Sequence, residues 1–126
     1  MLCATPPITA INQPAAAAEQ YRESLRLKPD WPEPMWELAW MLANSSDQSI
    51  RAPRQAVELA TRACELTNRT KIPALDALAA AQAASGDLDA AIRTAEDARG
   101  VALASGQTQL AQQMEQRIRR YRAARR

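Results

Sequence analysis

A chain of 126 residues with 28 alanines, three glycines, no phenylalanine and no histidine is one domain's length of sequence whose core must be built largely from small side chains. Sixteen Lys and Arg against fourteen Asp and Glu leave a net charge of +2, too little to indicate nucleic acid by itself. Strand-like alternation of β-branched or aromatic residues is absent from the sequence, which therefore reads as all-α.

In chain order, residues 1–13 contain Pro6-Pro7 and small polar residues without helical period, and a poorly ordered segment is expected there. Pro14 opens PAAAAEQYRESLRLKPD, where Ala17, Tyr21, Ser24, Leu25 and Leu27 predict a helix that Pro29 and Asp30 terminate. The next helix spans about residues 32–43, with Met35, Leu38, Ala39 and Leu42 as its inward stripe. Residues 44–52 form a polar connection. Pro53 restarts the chain with Ala56, Leu59, Ala60, Ala63 and Leu66 as contact residues.

From Ile72 to Ala98 the pattern is clearest. Leu75, Leu78, Ala79 and Gln82 recur at helical spacing, then Leu88, Ala91, Ile92 and Ala95 do the same. Between them lies Ser85-Gly86-Asp87. Gly86 suits the left-handed conformation that ends a helix, and Asp87 suits the cap that begins the next. The two form an αα-hairpin. Its second helix runs on through Gly100, where a kink is expected if the ~1 kcal/mol handicap of glycine is felt, to a break at Ser105-Gly106. A last helix follows, with Leu110, Met114, Ile118 and Tyr121 on one face and Gln112, Gln113, Arg119, Arg122 and Arg126 pointing away.

This hairpin resembles one tetratricopeptide repeat, a helix-turn-helix unit of about 34 residues that stacks on copies of itself. Leu75, Leu78 and Ala79 match the pattern of the first helix, Gly86-Asp87 the turn, and Ala91 and Ala98 the small residues of the second helix. Gln82 departs from the family, which usually has an aromatic there. LRLKPD at the end of the first predicted helix places Pro29 where the family has its closing proline, and the 44–52 connection is an insertion. Lengthening such a loop costs only about 0.6 kcal/mol per doubling.

The resemblance implies an α-α superhelix, a solenoid of antiparallel helix pairs in a short bacterial-type array. It comprises a half repeat over 14–30, repeats over 31–68 and 72–105, and a capping helix over 106–126. That cap carries six Arg and one Glu, a local charge of +5 that leaves the remaining chain at −3.

Candidate chemistry is sparse. Without histidine the chain lacks the commonest general base and metal ligand, and Cys3 and Cys64 make no zinc pattern. Gly86, Gly100 and Gly106 stand singly and form no phosphate-cradling loop. Asp87 with Asp89, and Glu96 with Asp97, are the closest carboxylate pairs, and they read as helix-start charge and as a solvated face. Cys64, beside Ala60 and Ala63, reads as a small core residue. No catalytic residue, metal or cofactor is expected, and the chain does not read as an enzyme. The N-terminus has neither the basic nor the apolar region of a secretory signal, no apolar run reaches transmembrane length, and a reducing cytoplasm is the expected compartment.

Trp31, Trp36 and Trp40 crowd into one stretch. Trp36 and Trp40 share a helical face offset from the Met35, Leu38, Leu42 stripe. In the resembled family that face lines the concave groove that takes peptides; the alternative is packing against Tyr21 and Leu25. The resemblance implies a protein-interaction scaffold whose groove is lined by Glu33, Trp36, Trp40, Asn44, Asp76, Ala80 and Ala83. Its partner would be a protein or peptide segment. A second reading is a non-catalytic accessory segment of a larger bacterial enzyme such as a glycosyltransferase. Weak homodimerisation is expected through the N-terminal helix, which lacks the first-helix partner of a complete repeat. RIRRYRAARR reads as a solvated helix end, so nucleic acid and membrane are not expected as partners.

Overall fold

In the computed structural model, which describes residues 14–125, the chain forms six α-helices and no strand among the described residues. They are α1 (Pro14–Leu27), α2 (Pro32–Asn44), α3 (Pro53–Leu66), α4 (Ile72–Ala84), α5 (Leu88–Ala104) and α6 (Thr108–Ala124). The expected disorder over 1–13, Cys3 and the outward placement of Arg126 lie outside the described residues.

Each boundary has a local cause. Proline stands in the first turn of α2, α3 and α4, where its missing N–H is not needed. Three helix ends share one device, in which a left-handed residue turns its own amide and the next one back onto free carbonyls. At the end of α4, Gly86 has φ +93°, its N–H donates to Ala83 O, and Asp87 N–H donates to Gln82 O at 2.9 Å. Gly106 (φ +73°) repeats this at the end of α5, with Gln107 N–H on Ala102 O at 2.8 Å. At the end of α3 the left-handed position falls to Asn68 (φ 56°), and Arg69 N–H reaches Cys64 O at 2.8 Å. Asp87 then opens α5 by accepting the Ala90 N–H on Oδ1 at 3.1 Å. Gly100 sits exposed within α5, and the helix runs through it from Leu88 to Ala104.

Consecutive helices pack on one another throughout, and α4 packs on α2 as well as on α3. The core runs unbroken from Ala18 in α1 to Met114 in α6, with a second cluster of Ala79, Ala91, Ile92, Ala95, Ile118 and Tyr121. Its largest fully buried side chains are Leu42, Leu75, Met114, Ile118 and Cys64. Side chains this small remove little apolar area each, so the helices recover dispersion contact by close approach. Ala39, Ala56, Ala60, Ala63, Ala74, Ala91 and Ala95 are all wholly inaccessible.

Three side chains call for a separate account. In α1 the buried position is Ala18, with Tyr21 and Leu25 packed beside it, whereas Leu27 is 70% exposed. Two residues past Leu25 is about 200° further round the helix, which turns Leu27 to solvent. Leu66, in the last turn of α3, is also exposed. Gln82 is satisfied rather than misplaced: its Oε1 accepts the Thr94 hydroxyl at 2.7 Å, so a polar pair fills the space between α4 and α5.

Candidate functional site

A depression of about 390 Å³ opens between α2, α4 and α6. Trp40 and Asn44 come from α2, Ala80, Ala83 and Ala84 from α4, and Arg117, Arg120, Tyr121 and Ala124 from α6, with Leu88 and Arg51 at its margins. Of the residues expected to line a groove, Trp40, Asn44, Ala80 and Ala83 meet here. Glu33, exposed one turn before Trp36, and the half-buried Trp36 do not line it. Trp36 and Trp40 both pack in part against the core, so each indole serves the interior on one side and the surface on the other.

Asp76 has a different role. Its carboxylate accepts both prongs of the Arg117 guanidinium, Nε on Oδ1 at 2.7 Å and Nη2 on Oδ2 at 2.9 Å. This fork lies mostly out of water, with the two side chains 24% and 15% exposed, and it raises the already high pKa of Arg117. The same guanidinium carbon stands 5.2 Å from the centre of the Trp40 ring. Asp76, Arg117 and Trp40 therefore tie α4, α6 and α2 together and fix one wall of the depression. Asn44 is exposed at the end of α2, where its side-chain amide donates back to Trp40 O of the same helix at 2.9 Å.

The remaining cations of α6 divide into two kinds. Arg122 pairs with Glu96 at 3.0 Å and Arg125 with Asp89 at 2.8 Å, both on α5. Glu115 accepts from Arg99, and that contact holds its carboxyl below the usual carboxylate range. So the basic helix lies on the acidic body, and Glu96 is not simply solvated. Arg120 makes no ion pair among the described residues, and neither does Arg51.

Sequence reading missed Arg51, Arg117, Arg120 and Tyr121 as lining residues. For α6 a signal was present: 117, 121 and 124 recur at helical spacing, so the stripe ending in Tyr121 carries Arg117 with it. For Arg51 none was, because its place depends on how the 45–52 connection folds.

A second depression, about 550 Å³, lies between α1, α2 and α3 over the buried Met35 and Leu38, with Arg22, Glu58 and Arg62 at its edge. Among the described residues no group of His, Cys, Asp and Glu is placed to hold a metal ion, and no helix is long and apolar enough to cross a membrane. Cys64 is 1% exposed, and burial pushes its thiol up to about 11, so it stays protonated and unreactive at neutral pH. Comparison with protein-family models, with curated proteins and with solved structures gives no match to this chain.

Proposed function

We propose that the chain is a short helical-repeat module of the tetratricopeptide kind that binds a peptide segment of a partner protein in the depression between α2, α4 and α6. The array is a half repeat (14–30), two helix pairs (31–68 and 72–105) and a capping helix (106–126), stacked as a solenoid. Two features support that reading: α4 packs on both members of the preceding pair, and the α4 and α5 ends are closed by the same glycine device. The observation that carries the function is the convergence of Trp40, Asn44, Ala80 and Ala83, from alternate helices, on one open depression. Its floor of alanines leaves room for an inserted side chain, and its size lies within the roughly 300–1,000 Å³ range of binding clefts. The reading is of binding without chemistry.

Peptides selected from a displayed random library against the wild-type protein provide the test. Ala83 is half-buried at the surface of the depression, so Ala83→Trp fills the space from the open side and leaves the helix core in place. The expected result is an unchanged helical circular-dichroism spectrum with loss of peptide binding. A library that yields no binder, or binders indifferent to Ala83→Trp, overturns the proposal.

A further inference from the structure

We infer that the depression selects an acidic peptide, one that carries Asp or Glu beside an apolar side chain, with Arg51 and Arg120 as the residues that receive the carboxylates. This rests on the peptide-binding reading above and gives its partner a chemistry.

Charge is the first observation. Arg51, Arg117 and Arg120 line the depression, and no Asp or Glu does. Arg117 is neutralised from behind by the Asp76 fork, whereas Arg51 and Arg120 have no carboxylate partner among the described residues. Elsewhere on α6 the molecule pairs its arginines: Arg122 and Arg125 reach across to Glu96 and Asp89. Two unpaired cations lining a hollow that has no acidic residue complement an incoming anion.

The connection that carries Arg51 is built, not loose. Asp47 Oδ1 accepts the Ser49 N–H at 3.0 Å and the Ser49 hydroxyl at 2.7 Å, which holds the Asp47 carboxyl below its ordinary pKa. Ile50 and Arg51 N–H both donate to Asp47 O, and Ala52 N–H donates to Leu42 O at 2.9 Å. Ile50 packs against the core immediately before Arg51. The inserted connection therefore anchors the backbone of Arg51 at the rim, which reduces the ordering cost of a bound carboxylate.

An acidic peptide suits the hollow better than a nucleic acid. Of the two aromatic rings that line it, Tyr121 is buried and Trp40 has the Arg117 guanidinium over it, so neither offers an open face to a base. The floor is Ala80 and Ala83, with Leu88 beside them, which fits an aliphatic side chain and offers no track for a phosphate backbone.

The experiment compares library selections on the wild type and on the doubly substituted Arg51→Gln/Arg120→Gln protein, with the selected peptides synthesised for fluorescence anisotropy. Both arginines are exposed, so the variant keeps the helical spectrum of the wild type. The wild type is expected to enrich Asp and Glu next to Leu, Ile or aromatic residues, and replacing those acids by Asn and Gln is expected to weaken binding roughly tenfold or more. On the doubly substituted protein the acidic enrichment and that difference both disappear. Neutral binders that Ala83→Trp still abolishes would leave the groove standing and overturn its acidic selectivity. Acidic binders indifferent to the double substitution would overturn the assignment to Arg51 and Arg120. A single-stranded oligothymidylate that displaces the peptide with equal affinity would make this an anion site for nucleic acid and overturn the inference. If no peptide binds, both proposals fall.

Discussion

Helices α2 and α4 are of equal length, each starts with a proline in its first turn, and they pack side by side, yet they are made of different material. α2 presents Met35, Trp36, Leu38, Trp40, Met41 and Leu42, whereas α4 presents Ala74, Ala77, Ala79, Ala80 and Ala81 around two leucines. The surroundings explain the contrast. α4 is packed by α2, α3 and α5 and is met by α6 as well, whose Ile118 and Tyr121 share a cluster with Ala79, and a helix enclosed on so many sides is apolar and narrow. α2 is packed by α1, α3 and α4 but keeps Trp36 and Trp40 half in solvent, so it has room for large rings at its margin. Large side chains widen one region and hold it by area. Small ones let the other close up, and ions then bridge to α6, at an inner seam by Asp76 to Arg117 and at outer seams from α5 by Glu96 to Arg122 and Asp89 to Arg125.

The contrast is broken most severely by putting bulk where alanine allows approach. Ala91 is wholly inaccessible in the cluster it shares with Ala79 and Ile118, so Ala91→Glu both overpacks the α4–α5 seam and buries a charge without a partner. A loss of several kcal/mol is expected, about 3–5 by the usual scale of such changes. Gln112→Glu, at an exposed position of α6, should leave the thermal midpoint nearly where it was. Similar midpoints for the two variants would show that α4 and α5 do not meet through these alanines.

How much of this was legible in the sequence depended on distance along the chain. Helix ends were, because a proline in the first turn, Gly86 or Asp87 acts on amides within a turn of itself. The Ala91 and Ile118 faces were legible through periodicity. Leu25 and Leu27 both belong to the helical pattern, but two residues apart they face different sides, and Leu25 alone of the two packs on the core. Gln82 showed only as a departure from the pattern; its answer, Thr94, lies on the next helix. The candidate site was half legible: α2 and α4 supplied Trp40, Asn44, Ala80 and Ala83. Its cationic wall joins residues 41 apart, a pairing set by how α6 settles on α5 and by no local rule.

A smaller effect distinguishes the inner ionic seam from mere decoration. Asp76→Ala leaves the Arg117 guanidinium partly buried with Trp40 as its remaining neighbour, and a loss of about 1–3 kcal/mol is expected from an unmet charged group. The paired change Asp76→Leu/Arg117→Met should recover much of that, since an apolar pair replaces a desolvated ionic one at little cost. Chemical denaturation of the three proteins gives the comparison. If Asp76→Ala is no worse than the double change, the fork is not what closes α6 onto α4.

The outer seams should matter least, and this sets the lower end of the comparison. Arg125 and Asp89 meet at 2.8 Å with side chains 53% and 64% exposed, so water screens their attraction and both lose side-chain freedom in meeting. A double-mutant cycle on Asp89→Ala and Arg125→Ala should give a coupling of about 0.2–1 kcal/mol at low salt. Arg125 also stands at the C-terminal end of α6, where a positive charge is favoured by the helix dipole. The cycle removes that contribution, because it is present whether or not Asp89 is. Raising the ionic strength shortens the reach of the exposed pair much more than that of the sheltered Asp76–Arg117 fork. The coupling at Asp89 and Arg125 should therefore fade with salt while the penalty of Asp76→Ala persists. If instead the exposed pair couples more strongly than the fork, or keeps its coupling at high salt, the ionic closure of α6 is located at its end and not at the wall of the depression.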